Sequence, residues 1–228
     1  MRVLAVDTSS ERGSVCVADR GEVLGEIRLA SSIQHSERLF RSVEFLFQHL
    51  PFPLQEIDVF VAARGPGSFT GLRVGIAAMQ GFAAAHRRQG AGVTTLEALA
   101  WKTGIRDEPI VPMIDARRGD IYGAMYYRRS AGNDFDTLIE EEQPVVLKPA
   151  QWLAGLPRKQ LIFCGDGALR YRALIEEERE WRIHSMDLYL ASTIAELAVT
   201  RNGGPLAPLY VRKTDAEIAR ESIGSPNS

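Results

Sequence analysis

The residues that could bind or transform a ligand gather at two places in the chain. The first is a glycine-rich stretch, Gly65-Pro66-Gly67-Ser68-Phe69-Thr70-Gly71, which follows an apolar run. Backbone N–H groups at the start of a helix can hold an anion such as phosphate. The spacing matches neither the dinucleotide fingerprint nor the phosphate-binding P-loop. Two interpretations stay open: Gly65, Gly67 and Ser68 contact an anion, or the stretch is a turn that lets two helices or a partner approach closely.

The second place is the end of the first apolar run, where Asp7 is followed by Thr8, Ser9 and Ser10. Sheet-based enzymes place ligand-binding groups at the carboxyl ends of strands. Asp115 occupies the same position in the second half of the chain. An Asp followed by hydroxyl side chains is also a common turn former. The residues alone therefore leave ligand binding and turn formation as equal alternatives.

Metal binding and nucleophilic catalysis find little support in the sequence. The four histidines are scattered, and the residue four positions after His35 is Leu39, so no pair of histidines shares a helix face. No set of Ser, His and Asp stands out as a catalytic triad. Cys16 and Cys164 lie in separate apolar runs without metal-ligand spacing, which predicts buried, reduced thiols. The sequence supplies no strong catalytic constellation and predicts no metal site.

The first hundred residues contain the predicted elements that position these groups. Three apolar runs predict an antiparallel meander of strands, at residues 3–6, 14–18 and 22–29. From Ser36 the apolar period changes, which predicts an amphipathic helix of about 15 residues that Pro51 ends. A buried strand, the glycine-rich turn and a second helix from about Leu72 to Arg88 follow. This order is typical of a parallel, covered sheet.

The second half of the chain repeats the opening pattern in form. A strand at 110–115 again ends in Asp, and a turn leads to a partner strand at 121–127. This is a weak pseudo-repeat, which predicts two related units. We therefore expect an N-terminal unit, a C-terminal unit and a disordered tail, at residues 1–106, 107–216 and 217–228.

Composition and charge exclude several classes of protein. The 228 residues are 45% hydrophobic and 25% charged, which is typical of a folded globular protein. The 27 basic and 29 acidic side chains leave a net charge of −2, whereas a dedicated nucleic-acid module is strongly basic. Asp7 would cut short a signal-peptide core, and the longest apolar stretch, 74–85, is too short to span a bilayer. We expect a cytoplasmic protein without a membrane partner.

Five stretches together resemble the TsaB family, also called YeaZ. They are MRVLAVDTSS, QHSERL, ARGPGSFTGLRVG, IDARRGDIY and PLYVRK, and the resemblance extends from residue 1 to about residue 215. It implies a partner subunit in the formation of N6-threonylcarbamoyladenosine (t6A) beside the anticodon of tRNA. It also implies an α/β fold of two actin/hexokinase/Hsp70-like (ASKHA) subdomains, each a mixed sheet flanked by helices. That fold agrees with the pseudo-repeat.

The resemblance further implies that this chain is a degenerate, noncatalytic paralogue. The related subunit TsaD transfers the threonylcarbamoyl group and carries a metal-binding pair of histidines, of which His35 has no second member here. Thr8, Ser9 and Ser10 stand where nucleotide-binding members of the fold have glycines. The expected role is a scaffold that binds and activates TsaD together with the ATPase TsaE, with no cofactor of its own. ATP or ADP is expected at most at a shared subunit junction.

Two enzymatic alternatives accompany this expectation. One is a glycoprotease-like peptidase, and the other is a nucleotide-hydrolysing, sugar-kinase-like enzyme. Both require an intact active site, which the residues do not supply.

The family resemblance also implies a surface for the partner. In the family, the first two helices form a four-helix bundle with TsaD, or with a second copy of the chain when TsaD is absent. The complex then contacts tRNA, so that this chain reaches it indirectly. The residues by themselves leave the apolar face of the first helix open between core and interface. The implied interface residues are His35, Ser36, Glu37, Leu39, Phe40, Val43, Leu46, Phe47, Gly71, Arg73, Val74, Gly75 and Ala78.

Overall fold

The computed structural model describes residues 1–30, 35–130, 136–201 and 203–211. Within these ranges the backbone forms two five-stranded sheets with helices on both faces. In chain order the elements are β1 (Arg2–Asp7), β2 (Arg12–Asp19), β3 (Glu22–Ala30), α1 (His35–His49), β4 (Val59–Ala63), α2 (Phe69–His86), β5 (Gln89–Val93), α3 (Thr95–Lys102), β6 (Pro109–Asp115), β7 (Ile121–Ser130), β8 (Asp136–Leu147), α4 (Pro149–Gly155), β9 (Leu161–Cys164), α5 (Asp166–Arg170), α6 (Arg172–Ile175), β10 (Trp181–Ile183) and α7 (Ala191–Arg201).

The first sheet has the strand order β3-β2-β1-β4-β5. Its first three strands are antiparallel, as the predicted meander requires, and β1, β4 and β5 are parallel. Strand β1 is apolar throughout because both of its faces are covered. Leu4 and Val6 pack into the core beneath α1 and α2, whereas Val3 and Ala5 pack with α7 on the opposite face.

The second sheet repeats the first sheet strand for strand. Its order is β10-β9-β6-β7-β8, with β6, β7 and β8 antiparallel and β6, β9 and β10 parallel. Strand β6 thus takes the place of β1, and β7 and β8 take the places of β2 and β3. The predicted pseudo-repeat is confirmed, and with it the fold class of two mixed sheets flanked by helices.

One helix of each half packs on the sheet of the other half. Helix α3 follows the first sheet in the chain but packs on β6 and β7, while α7 follows the second sheet and packs on β1 and β2. One hydrophobic core therefore contains residues of both halves, among them Val61, Leu99, Ile110 and Ile194. The division at residues 106 and 107 stays a prediction, and the tail at 217–228 lies outside the described residues.

None of the helices in the described ranges is both long enough and apolar enough to cross a membrane.

Candidate functional site

The glycine-rich turn joins β4 to α2 and is closed by hydrogen bonds within the chain. The Ser68 hydroxyl caps α2 by accepting from the Gly71 N–H at 3.2 Å. The Ser68 N–H itself donates to the Ser9 carbonyl oxygen at 2.7 Å. Two of the N–H groups that could have held an anion at this helix terminus therefore have partners in the protein.

The glycines of this segment allow the loop after β1 to lie against the start of α2. A Cβ atom on Gly67 would lie 2.6 Å from the Ser9 carbonyl oxygen, and one on Gly71 only 2.0 Å from that of Thr8. A Cβ atom on Gly75 would lie 2.4 Å from the Thr8 hydroxyl oxygen. That hydroxyl donates a hydrogen bond of 2.7 Å to the Gly71 carbonyl. The chain's own loop, and not a second helix or a partner, is what approaches the turn among the described residues.

Asp7 is buried behind this loop, with 1% of its surface exposed. Its Oδ1 accepts from the Ser9 N–H at 2.9 Å, while its Oδ2 has no hydrogen-bond partner among the described residues. Burial disfavours the charged carboxylate and raises the pKa of Asp7 to about 6. In the second half, the Asp115 carboxylate accepts in the same way from the Arg117 N–H at 2.9 Å. Both strand-end acids therefore accept a turn hydrogen bond from the N–H two residues on, and ligand contact by Asp7 stays a prediction.

Asn in place of Asp7 is expected to raise the free energy of unfolding at pH 7.5 but not near pH 4. The folded protein holds a proton that the unfolded chain releases between about pH 4 and pH 6, so wild-type stability falls as the pH rises through this window. The pKa of Asp7 differs by about two units between the folded and the unfolded chain, which corresponds to about 3 kcal/mol. This is the upper bound for the gain in the free energy of unfolding above pH 6. Urea unfolding of both proteins across this range measures it. Parallel stability curves for the two proteins would contradict the assignment to Asp7.

A cleft of about 840 Å³ lies between the two sheets. Of the residues predicted to contact a nucleotide or anion, Ser9, Ser10, Gly67 and Ser68 line this cleft. The other three, Asp7, Thr8 and Gly65, are buried behind it. Across the described residues, no three His, Cys, Asp or Glu side chains lie close enough together to hold a metal ion. Anion contact by the four cleft residues stays a prediction.

Helices α1 and α2 lie side by side over the first sheet, and their inner faces correct part of the predicted interface. Leu39, Val43 and Leu46 are at most 7% exposed and pack into the core. Gly71, Gly75 and Ala78 are likewise buried. These six residues are core because the sheet beneath α1 and α2 needs an apolar cover. Burial of these six residues leaves the exposed residues of α1 and α2 as the candidates for contact with a partner.

The outer faces of the two helices retain the rest of the predicted interface. Glu37, Phe40 and Arg73 are exposed, Val74 is half-buried, and the half-buried Phe47 packs against Phe52. Phe40 lies edge-on to Phe82 of α2, with ring centroids 5.9 Å apart. The side chains of His35 and Ser36 lie outside the described residues.

The outermost residues of α2 are absent from the predicted interface. Ala77, Gly81 and Ala84 are exposed one turn apart, and a Cβ atom on Gly81 would meet nothing within 4 Å. Together with Phe40 and Val74 they form what we call the outer helical face. Small residues at about four-residue spacing between positions 71 and 85 predict that another helix approaches α2 closely. The same spacing occurs on the inner and on the outer side of α2, so it does not show which side the other helix would contact.

Comparisons with known proteins place the chain among relatives of known name. The model of the family TsaD, tRNA N6-adenosine threonylcarbamoyltransferase, matches residues 28–175, more than half of the chain. The tRNA threonylcarbamoyladenosine biosynthesis protein TsaB of Escherichia coli (strain K12) is 35% identical over 152 residues. These residues span 65% of this chain and 63% of that protein, slightly less than two thirds of its length. TsaB of Bacillus subtilis (strain 168) is 30% identical over 179 residues, which span 78% of this chain and 76% of that protein.

Two solved structures from Pseudomonas aeruginosa each cover 92% of this chain and 99% of their own length. One, an uncharacterized protein with similarity to peptidase YEAZ, is 26% identical with a TM-score of 0.78. The other, YeaZ, is 24% identical with a TM-score of 0.74, a likeness of fold. With the matched sheets and the two TsaB relatives, these findings establish that the chain belongs to the TsaB (YeaZ) family.

Proposed function

We propose that this protein is a noncatalytic scaffold subunit in the formation of t6A in tRNA, and that it binds and activates the transferase TsaD. The names of the TsaB relatives and the match to the TsaD family model support the t6A role. The observation that carries the proposal is the packing of the glycine-rich turn against the chain's own loop. The Ser68 and Gly71 N–H groups, which could have held a phosphate group at the start of α2, both have partners in the chain, and a Cβ atom has no room between Gly71 and Thr8.

The burial of Asp7 and its hydrogen bond from the loop support the noncatalytic role. In a sheet-based enzyme a strand-end acid faces the ligand, whereas Asp7 is buried and its Oδ1 is engaged by the loop. The peptidase and sugar-kinase alternatives both need such a group in contact with substrate. No feature of the described residues favours either alternative.

The proposed contact surface for TsaD is the outer helical face. Small residues allow another helix to approach closely, and Phe40, 49% exposed, provides an aromatic anchor at its edge. In the absence of TsaD, the same face would pair with a second copy of this chain. TsaE would join the complex, ATP or ADP would bind at most at a junction between subunits, and tRNA would bind to the assembled complex.

The proposed location is the cytoplasm. Cys16 and Cys164 are free thiols buried in the core. Burial raises the pKa of the Cys16 thiol to about 12 and that of Cys164 further still, so both stay protonated and unreactive. Unpaired cysteines are usual in a reducing compartment.

Reconstitution of threonylcarbamoyl transfer tests the proposed function. TsaD and TsaE are mixed with the threonylcarbamoyl adenylate and unmodified tRNA, with and without this chain, and t6A is measured by mass spectrometry of the digested tRNA. We expect t6A to form only when the chain is present, and the chain alone to show no ATP hydrolysis. Equal t6A yields in both mixtures would refute the scaffold role.

A further inference from the structure

Two consecutive arginines form the tip of the β6–β7 hairpin at the mouth of the cleft. Arg117 and Arg118 both have left-handed backbone, with φ of 61° and 53°, and Gly119 continues the turn at 78°. Asn and Gly are the residues that such turns favour, since other side chains there are strained. Both arginines line the cleft, and the Arg117 side chain is 74% exposed. Arg117 Nη2 pairs with Glu11 Oε1 at 3.4 Å, and Arg118 also interacts within the chain. The hairpin thus presents two exposed guanidinium groups, and a ligand in the cleft would compete with these partners for them.

Further cations surround this turn, and most of the acids lie beneath them. Lys148 donates to the Arg118 carbonyl at 3.0 Å and is 61% exposed, and Arg170 is 60% exposed. Their ion-pair partners Asp120 and Asp115 are only 23% and 11% exposed. Glu11, the partner of Arg117, is 67% exposed and also lines the cleft. The exposed cations around the turn therefore outnumber this exposed acid, although the whole chain carries a net charge of −2. Guanidinium groups suit phosphate because they donate two parallel hydrogen bonds.

The lining of the cleft also contains an exposed aromatic pair. Phe69 and Tyr210 are 46% and 47% exposed, and their ring centroids lie 5.7 Å apart. The Arg73 guanidinium carbon lies 3.8 Å from the Phe69 ring centroid, and Arg73 Nε donates to the Tyr210 hydroxyl at 3.2 Å. This contact holds both rings at the surface, where a nucleobase can stack on them.

We propose that this cleft binds single-stranded RNA directly, with phosphates at the Arg117–Arg118 turn and a base on Phe69 and Tyr210. Cations and exposed aromatic rings in one groove are the two features that bind single strands. An acidic peptide would use the cations but not the rings. The inference rests on the proposed function, because it replaces indirect contact with tRNA by direct contact.

Fluorescence anisotropy with the full chain and a labelled stem-loop RNA with a seven-nucleotide loop tests the proposal. The variant is Arg117→Asn with Arg118→Asn, since Asn tolerates the left-handed backbone. Arg20→Asn with Arg87→Asn is the matched control, because these arginines also have positive φ, at 51° and 52°, and do not line the cleft. We expect the cleft variant to bind RNA at least about tenfold more weakly and the control to bind it as the wild type does.

The salt dependence and the aromatic residues separate the two parts of the site. Loss of two phosphate contacts should lower the slope of log affinity against log salt by about 1.4. Phe69→Leu should weaken binding about five- to hundredfold and leave this slope unchanged. Equal losses in the cleft variant and the control, or no measurable RNA binding by the wild type, would overturn the proposal.

Two further measurements, with ADP and with TsaD, would show whether the cleft binds something other than RNA. If ADP binds with the same arginine dependence and RNA does not bind, the site is for a free nucleotide and the proposal is wrong. If the cleft variant loses TsaD in co-elution but keeps RNA affinity, the turn is a protein surface and the proposal is again wrong. Co-elution of TsaD with the cleft variant is expected to be unchanged, so failure of RNA binding leaves the scaffold role intact.

Discussion

Ala77→Arg is expected to weaken the binding of TsaD at least about hundredfold while the chain stays folded. Ala77 lies exposed at the centre of the outer helical face. A long charged side chain there would hold the partner helix away and bury an unpaired charge, and residues at the centre of an interface cost more than about 2 kcal/mol when disrupted. Arg is a good helix former, so α2 itself should be unaffected.

Isothermal titration of TsaD into each purified variant measures this effect. Ala150→Arg is the matched control, because Ala150 is also an exposed alanine of a helix, α4, but lies over the second sheet. The control should bind TsaD with wild-type affinity, and both variants should keep the wild-type melting temperature. Wild-type affinity of Ala77→Arg for TsaD would show that TsaD binds elsewhere. The same two variants can also be used to follow the self-association of the chain.

Much of the first sheet could be predicted from the sequence because its strands are short, apolar and separated by turns. The turn between the predicted strands 14–18 and 22–29 is an example: Asp19-Arg20-Gly21 is typical of a hairpin turn, and Arg20 and Gly21 both have positive φ in the structure. Strand β8 was not predicted. It is an edge strand with one side exposed, and Glu140–Gln143 and Pro144 interrupt any apolar alternation. Strand β10 has only three residues.

The faces of α1 and α2 could not be assigned from the sequence. The apolar face of α1 suits a core and an interface equally well, and only the position of the sheet decides that Val43 is buried while Phe40 is exposed. In α2 the difficulty is greater, because small residues lie on both sides. Gly71 faces Thr8 and Gly81 faces open space, although both are glycines of one helix.

The loop contact with α2 also depended on information that local patterns do not contain. Thr8 and Gly71 are 63 residues apart in the chain, and the hydrogen bond between them forms only when β1 and β4 pair in parallel. The acid at position 7 could therefore be recognised as a strand-end residue, but neither its burial nor the closing of the loop over it could be predicted.

Gly71→Ala is expected to lower the free energy of unfolding by more than about 3 kcal/mol. The added Cβ atom would lie 2.0 Å from the Thr8 carbonyl oxygen and 3.2 Å from its carbon. Both are backbone atoms, so the loop itself must move, which breaks the 2.7 Å hydrogen bond from Thr8 to Gly71. Overpacking at such a contact reaches or exceeds the upper end of its usual cost. At this chain length the melting temperature should fall by more than about 6 °C.

Gly81→Ala makes the same chemical change in the same helix and should have the opposite sign. No atom lies within 4 Å of the new Cβ, and alanine favours the helix over glycine by about 1 kcal/mol. Thermal unfolding of the two variants under one set of conditions measures the contrast. Equal shifts would mean that α2 tolerates a side chain on either side, and the close contact between Gly71 and the loop would lose its support. A loss confined to Gly71→Ala would instead tie the closed turn to the small size of the residue at that one position.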